Sequence, residues 1–390
     1  MKRSLRVPAR TLLASVTFAG LTAAALAAAP VTAGAQVRQA HIAIGDAVFV
    51  QTNATTGNQI LAYSRSTSGS LSFVHAYNTH GRGARASGAV VDPLASQGSL
   101  LYDPAGALLI AVNGGSGTIT SFRVSGDTLS DTRVLPAGRF PVSVTSHGAL
   151  VYVLDAAGLG AVRGFDESHR SLSPIARSVR NLGLNPALTP QYLNTPGQVG
   201  FSPNGAQLIV TTKDNGSDID VFAVKANGSL SAAPVVNPSA EPIPFGFVFD
   251  AHGRLVVTEA GGSDVSTYGL DADGSITHAS TVADGQAAPC WVASVGGWYY
   301  VANAGSADIS GYQVSDGGTA SLITANGGIA GTTDAGPIDL AGSSNGQFLY
   351  VETGGAGALD EFSVNSDGTL TSLGSITGLS GTGIEGIVAS

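Results

Sequence analysis

The chain has 390 residues, of which 43% are apolar and 12% are charged, and it contains a single cysteine, Cys290. Its 18 basic and 27 acidic side chains give a formal net charge of −9 at pH 7. A surface with this excess of acidic groups repels nucleic-acid phosphates and anionic lipids, which excludes nucleic acids and membrane surfaces as partners.

The N-terminal segment has the pattern of a secretory signal peptide. Four basic residues precede an Ala-rich apolar run over 11–29, and Ala33-Gly34-Ala35 forms a small-x-small cleavage site. Cleavage before Gln36 leaves 14 basic and 27 acidic residues, a net charge of −13. We therefore expect a secreted protein, extracellular or periplasmic; a membrane anchor formed by the same run is the alternative. The predicted divisions are a signal peptide at 1–35, an N-terminal extension at 36–47 and one domain at 48–390.

A phrase of 17 residues then recurs along the chain. WYYVANAGSADISGYQV at 298–314 is similar to LLIAVNGGSGTITSFRV at 108–124, RLVVTEAGGSDVSTYGL at 254–270 and FLYVETGGAGALDEFSV at 348–364. Short apolar runs rich in Val, Ile, Tyr and Phe, broken by Gly, Asn and Asp, predict two strands joined by a Gly-rich link. The second strand carries one aromatic residue in each of seven copies, spaced 43 to 59 residues apart: Tyr63, Phe122, Phe165, Phe222, Tyr268, Tyr312 and Phe362.

Each phrase is flanked by two further predicted strands. An apolar strand lies upstream, as in PFGFVF at 244–249 and PIDLA at 337–341, and a tight turn such as SPNG or DAHG separates it from the phrase. A second turn, as in KANGSL or DADGSI, leads to a fourth strand, and Asn-Gly and Asp-Gly pairs suit such hairpins. Each unit is therefore a four-stranded antiparallel sheet, with strands A, B, C and D in chain order. Seven such units predict an all-β, seven-bladed β-propeller.

The first unit lacks strand A, because the patterned chain opens on AVFVQTN, a B strand. The segment Glu385–Ala389 has strand character and is left over at the other end. We expect this C-terminal strand to complete the N-terminal blade and so close the ring without a free inner edge.

The repeat resembles a known family. Tyr300-Val301-Ala302-Asn303, Tyr152-Val153-Leu154-Asp155 and the SPNG and ADGS turns are similar to the Tyr-Val-Thr-Asn repeat propellers. The chain from Val48 to Ser390 resembles the secreted branch of the lactonase family, which includes seven-bladed 6-phosphogluconolactonases and carboxymuconate-lactonising enzymes. The resemblance implies a lactonase with His, Arg and Glu side chains around the channel. The family's Gly-Pro-Arg-His stretch has no match at 195–198 or 288–291, so no catalytic residue is assigned by alignment.

Strand direction predicts the functional face. The A–B and C–D turns lie on one face of the disc, and the B–C links and D–A connections lie on the other, which also carries the long insertions at 80–97 and 177–197. His80, with Arg82 and Arg85 beside it, is the histidine on this face. We predict His80 as a catalytic residue and the two arginines as substrate-binding; a solvated basic loop is the alternative.

The A-strand starts line the predicted channel. Asp339 and Glu385 come from adjacent blades, and two neighbouring carboxyl groups can raise one pKa and create a general base. We predict both as catalytic; simple hydrogen bonding to strand backbone is the alternative. The substrate-binding candidates are Gln97, Gln198, Cys290 and Trp291 from these starts, and Glu259 from the B–C links.

The B–C links bring a ring of polar side chains to one rim. These are Asn53, Asn113, Asp155, Lys213, Glu259, Asn303 and Glu352. Hard oxygen ligands of this kind suit Ca²⁺, but capping of link backbone by Asn is the favoured interpretation. We therefore predict neither a metal nor any other cofactor.

Two functions remain open from the sequence. The first is a monomeric, lactonase-like hydrolase that acts on a ring ester at the channel mouth by general-base activation of water. The second is a non-catalytic extracellular propeller that binds a glycan, a peptide or a small cyclic ligand through its loop face.

Overall fold

The computed structural model describes residues 46–168, 171–379 and 383–390. The signal-peptide prediction and most of the N-terminal extension lie outside these ranges. Among the described residues, no helix has the length and hydropathy that a membrane crossing requires.

The described strands form seven antiparallel sheets, named blades I to VII, and strand A is innermost in each. Blade I contains β1 (Ala47–Gln51), β2 (Gln59–Arg65), β3 (Leu71–Asn78) and β30 (Ile387–Ala389). Blade II contains β4 (Leu100–Asp103), β5 (Leu108–Asn113), β6 (Thr118–Ser125) and β7 (Thr128–Pro136). Blade III contains β8 (Pro141–His147), β9 (Leu150–Asp155), β10 (Ala161–Ser168), β11 (Ser171–Pro174) and β12 (Arg180–Asn181). Blade IV contains β13 (Gln198–Phe201), β14 (Gln207–Thr211), β15 (Asp218–Ala223) and β16 (Val235–Pro238).

The remaining three blades follow the same order. Blade V contains β17 (Pro244–Phe249), β18 (Leu255–Glu259), β19 (Asp264–Leu270) and β20 (Ile276–Ala283). Blade VI contains β21 (Pro289–Val295), β22 (Trp298–Asn303), β23 (Asp308–Val314), β24 (Ala320–Leu322), a 3₁₀ turn (Ala325–Gly328) and β25 (Ile329–Thr332). Blade VII contains β26 (Pro337–Gly342), β27 (Phe348–Thr353), β28 (Ala358–Val364) and β29 (Leu370–Thr377).

The all-β, seven-bladed propeller predicted from the repeat is confirmed. Each inner strand packs against the inner strands of both neighbouring blades, and the series returns from β26 through β30 to β4, so the ring is closed. Blades III and VI differ in detail, because their outer strand is interrupted: β11 and β12 both pair with β10, and β24 and β25 both pair with β23.

The repeated aromatic residues build the packing between blades. All seven C-strand aromatics are at most 2% exposed. The B-strand tyrosines add a polar contact, since Tyr152, Tyr300 and Tyr350 donate their hydroxyls to glycine carbonyls in the C–D turn of the following blade, at 2.7 to 3.0 Å. One such glycine, Gly368, has φ +83°, and a Cβ there would lie 2.6 Å from the Trp298 ring. The Tyr of the B strand and the Gly of the next blade's C–D turn are therefore hydrogen-bonding partners that join consecutive blades.

The C-terminal strand completes blade I, as the sequence predicts. β30 pairs with β1 in the register Val48↔Ala389 to Val50↔Ile387, and it is shorter than the predicted segment because Glu385 and Gly386 make single bonds to Gln51 before it. Arg65 contacts the Ser390 carbonyl at 3.0 Å and the Asp46 carboxylate at 2.9 Å. The two ends of the described chain are thus held together by one buried guanidinium.

Candidate functional site

A cavity of about 290 Å³ lies on the face of the B–C links and D–A connections. The long segment before blade II and the one before blade IV form one side of it, and blades V and VI form the other. The lining residues are Val90, Val91, Asp92, Ala95, Tyr192, Leu193, Lys213, Ile243, Phe245, Ala260, Ala288, Cys290, Trp291, Ala304 and Gly305. Val90 at the rim is 71% exposed, whereas Trp291 is 2% exposed, so the cavity opens to solvent at one end.

The segment before blade II closes the central channel beneath this cavity. Gln97 crosses to blade VI, where its Nε2 donates to the Val292 carbonyl at 2.8 Å and its Oε1 accepts from the Val292 N–H at 3.0 Å. The Trp291 indole Nε1 donates to the Ser96 carbonyl at 3.0 Å. Blades II and VI are not neighbours in the ring, so these bonds span it. The site is therefore a pocket that is open to solvent at one end and has these bonded side chains as its floor.

Two buried carboxyl groups meet at the wall of the cavity. Asp92 lines the cavity, and its side chain is hydrogen-bonded to that of Glu385, which is fully buried. Glu385 also accepts from the Leu94 N–H at 2.5 Å and the Ser96 hydroxyl at 3.3 Å. Burial raises the pKa of Asp92, and burial followed by the charge of Asp92 raises the pKa of Glu385 well above its ordinary range. The hydrogen bond between the two side chains lowers the pKa of Asp92 and raises that of Glu385, so the pair favours a proton on Glu385 over one on Asp92.

Two further carboxyl groups lie behind this pair. Asp339 is 3% exposed, and burial raises its pKa to about 7. Glu352 is fully buried; burial and the charge of Asp339 raise its pKa well above the ordinary value, and one of its oxygens accepts from the Gly386 N–H at 3.0 Å. Each of these acids is penalised as an anion by desolvation and by its neighbours. These four carboxyl groups therefore favour the protonated state, except where a nearby cation offsets the cost of burying a negative charge.

Lys213 supplies that cation. The side chain is 1% exposed, and its Nζ donates to the Ala95 carbonyl, the Tyr192 carbonyl and the Thr195 hydroxyl at 2.5 to 3.0 Å. These three acceptors use all three ammonium protons. Burial lowers the Lys213 pKa to about 8, against the attraction of Asp92. The ammonium is thus a fixed charge that ties both cavity-forming segments to blade IV.

Cys290 faces the same cavity. Burial and the charge of Asp92 raise the pKa of its thiol to about 12. A thiolate nucleophile needs a pKa shifted in the opposite direction. The geometry therefore fits a small apolar wall residue rather than a nucleophile.

The structure brings together some of the predicted site residues and leaves others apart. Asp339 and Glu385 lie in one buried acidic group, and Gln97, Cys290 and Trp291 surround the cavity or its floor. Gln198 instead joins blades IV and V through its two bonds to Phe247. Glu259 is fully buried and accepts hydrogen bonds from Ser239, Ser266 and Tyr268, away from the cavity lining.

The basic loop is not part of the cavity lining. His80, Arg82 and Arg85 are exposed, and Arg85 bonds to the carbonyls of Ala89 and Val90 at 2.7 and 2.8 Å. Their catalytic and binding roles stay predictions. The Asn residues of the B–C rim cap nearby backbone or side chains, as Asn53 does for both backbone groups of Ala84. Over residues 46–168, 171–379 and 383–390, no three His, Cys, Asp or Glu side chains converge to hold a metal ion.

Asp92 and Lys213 are the functional candidates that sequence reasoning did not place in the cavity. Asp92 lies at the end of the His80–Gln97 insertion, inside an apolar stretch, VVDPLA, that is unusual for a loop and indicates burial. Lys213 stands where other blades have Asn, Asp or Glu, and this change of charge at one repeat position was a usable signal.

The buried acids predict a pH dependence of stability. Asp339 binds its proton more tightly folded than unfolded, since its folded pKa is about 7 against an ordinary 3.8. The unfolded chain therefore releases the proton first, and stability falls as pH rises from about 4 to 7. Asp339→Asn should remove this contribution to the pH dependence of the free energy of unfolding. The contribution is about 1.4 kcal/mol for each unit by which folding raises the pKa of Asp339. Urea unfolding of both proteins at pH 5 and pH 8 tests this; equal slopes would contradict it.

No protein-family model matches the sequence, and no curated protein matches it. Solved structures do share the fold. A periplasmic gluconolactonase of Pseudomonas aeruginosa has a TM-score of 0.64 and 19% identity over 88% of this chain and 99% of that one. A Bacteroides fragilis protein with a provisional 6-phosphogluconolactonase name has a TM-score of 0.67 and 16% identity over 87% and 98%.

A third solved structure, a functionally unknown protein from Desulfotomaculum acetoxidans, has a TM-score of 0.64 and 14% identity over 88% of this chain and 98% of that one. At these identities the likeness establishes the fold alone, a seven-bladed β-propeller. A shared fold does not by itself carry an activity.

Proposed function

We propose that this protein is a lactone hydrolase that acts in the cavity on the loop face. The observation that carries the proposal is the Asp92 carboxyl at the cavity wall, paired with the buried Glu385 beside a fixed ammonium. A desolvated carboxylate is a better base than one in water, and at Asp92 this effect of burial is larger than the opposing effect of the hydrogen bond from Glu385. The lactonase names among the structures of the same fold support the same class of reaction.

The proposed reaction needs only water and these side chains. Asp92 takes a proton from a water molecule as the water oxygen bonds to the lactone carbonyl carbon. The tetrahedral intermediate then collapses, the ring C–O bond breaks, and the proton on Asp92 passes to the departing ring oxygen, which gives a hydroxy acid. Lys213 stabilises the developing negative charge through its own positive charge. It does not donate a hydrogen bond to the substrate, because its three ammonium protons are bonded to Ala95, Tyr192 and Thr195. Glu385 holds Asp92 in position, and Asp339 acts on the pair through its charge.

The proposed setting of the enzyme rests on the predicted signal peptide and on the charge. We propose that it works outside the cytoplasm, which the periplasmic gluconolactonase of the same fold supports. The net charge of −13 after cleavage before Gln36 disfavours anionic substrates such as sugar phosphates. A neutral lactone suits this surface.

The test is a pH-drop assay on the chain from Gln36 against a panel of neutral lactones. Asp92→Asn should lower kcat/KM about 100-fold, since removal of a general base has an effect of at least this size. Asp220→Asn is the matched control: Asp220 is 2% exposed and burial raises its pKa to about 7, but it lies on β15 outside the cavity lining. Equal activity of wild type and Asp92→Asn would contradict the proposal, and binding without turnover would favour the non-catalytic function.

A further inference from the structure

The cavity wall offers a ligand almost no hydrogen bonds. Ten of its fifteen lining residues are Val, Leu, Ile, Ala, Phe or Trp. Two of the polar side chains among the rest are already engaged, because Lys213 has three acceptors, and Asp92 accepts from the Ala95 N–H at 2.7 Å and bonds to Glu385. The Tyr192 hydroxyl and the Cys290 thiol are the other polar side-chain groups of the lining. The Trp291 Nε1 is bonded to Ser96.

The backbone around the rim is also paired. The Ala288 carbonyl accepts from the Ala304 N–H at 3.1 Å, and the Ala260 N–H donates to the Ile243 carbonyl at 3.0 Å. The Gly305 N–H donates to the Ala287 carbonyl at 3.0 Å. A ligand that enters the cavity meets mainly hydrocarbon, with the Tyr192 side chain, the thiol of Cys290 and the edge of the acid pair as its polar contacts.

This surface discriminates between kinds of lactone. A sugar lactone carries a hydroxyl on nearly every ring carbon, and each hydroxyl that loses water without finding a partner weakens binding. An alkyl- or aryl-substituted lactone has only its ester group to satisfy, and its carbons gain from contact with Phe245, Trp291 and the aliphatic wall. The volume of about 290 Å³ lies at the small end of ligand pockets.

We propose that the substrate is a small hydrophobic lactone, with alkyl or aryl carbons in place of the ring hydroxyls, and that the apolar cavity sets this specificity. The inference rests on the proposed lactone hydrolysis and deepens it. It also separates this chain from a gluconolactonase of the same fold, whose name specifies a polyhydroxylated ring.

The experiment compares a series of δ-lactones with alkyl tails of increasing length against glucono-δ-lactone. We expect kcat/KM to rise about three- to fourfold for each methylene until the cavity is full, and glucono-δ-lactone to be at least about 100-fold poorer. Ala304→Leu narrows the cavity and should lower kcat/KM for the longest lactone at least about tenfold, with a smaller loss for the unsubstituted ring. Ala157→Leu is the matched control, because Ala157 occupies the B–C link of blade III and lies outside the cavity.

A second readout keeps the inference separate from the proposed function. Alkyl-substituted δ-lactams are non-hydrolysed probes, and their binding can be followed by calorimetry and by the fluorescence of Trp291 in a Trp298→Phe background. Faster turnover of glucono-δ-lactone than of alkyl lactones would overturn the inference and leave lactone hydrolysis standing. Lactam binding that tightens with tail length, without any lactone turnover, would support the ligand class and overturn the hydrolase. Absence of both binding and turnover would overturn both.

Discussion

Deletion of residues 386–390 should prevent the chain from folding to a stable monomer. The deletion removes β30, which is the inner strand of blade I, and it exposes the backbone edge of β1 between Val48 and Val50. It also removes the Ser390 carbonyl that Arg65 contacts and the Gly386 N–H that bonds to Glu352. A buried guanidinium and a buried carboxyl each lose a backbone hydrogen-bond partner, which costs about 1–3 kcal/mol for each, and the loss of the inner strand adds to this.

A point substitution gives the graded form of this prediction. Ile387 is 4% exposed and packs with Val48, Val50 and Tyr350, so Ile387→Ala should lower the free energy of unfolding by about 2–5 kcal/mol. Ile376→Ala is the control, because it removes the same side-chain atoms from a half-buried position on the outer strand β29. It should lower the free energy of unfolding by less than about 2 kcal/mol. Urea unfolding measures both, and size-exclusion chromatography reports edge-to-edge association of the deletion. Wild-type stability of the deletion would mean that the ring is not held by its C-terminal strand.

The repeat made the fold predictable because its signals are local. Alternating apolar residues, turn glycines and one aromatic per C strand each act within a single blade, and seven copies repeat the same information. Even the ring closure could be predicted, since a B strand at one end and an unpaired strand at Glu385–Ala389 at the other leave one arrangement that satisfies both. The interrupted outer strands of blades III and VI were not predicted, although Asn326-Gly327-Gly328 in blade VI is a turn signal at the point of interruption.

The cavity was less predictable, since it depends on contacts between segments far apart in the chain. Asp339 and Glu385 could be paired from strand position alone, because both are placed by the blade scaffold. Asp92 could not, as it belongs to an insertion whose path is set by the bonds of Gln97 and Ser96 to blade VI. These bonds also give the cavity a floor across the predicted channel. Loop insertions of this kind follow tertiary contacts rather than local pattern.

Lys213→Met should destabilise the protein and raise the pH at which the site becomes active. The substitution keeps the aliphatic chain but removes a buried charge, and it leaves the Ala95 carbonyl, the Tyr192 carbonyl and the Thr195 hydroxyl without their donor. We expect a loss of about 3–5 kcal/mol in the free energy of unfolding, which is typical when one partner of a buried charged group is removed. Lys225→Met, at an exposed position, is the control and should change stability by less than about 0.5 kcal/mol.

The same substitution tests the electrostatics of the acid pair. The ammonium of Lys213 lowers the pKa of Asp92, opposing the larger effect of burial. Without it the pKa of Asp92 rises further, so the carboxylate that acts as base forms only at higher pH, and the rising limb of the kcat/KM profile moves to higher pH. A pH–rate profile of the soluble variant against an alkyl lactone measures the midpoint. An unchanged midpoint, together with the stability loss, would restrict Lys213 to anchoring the two loops and would remove it from the chemistry.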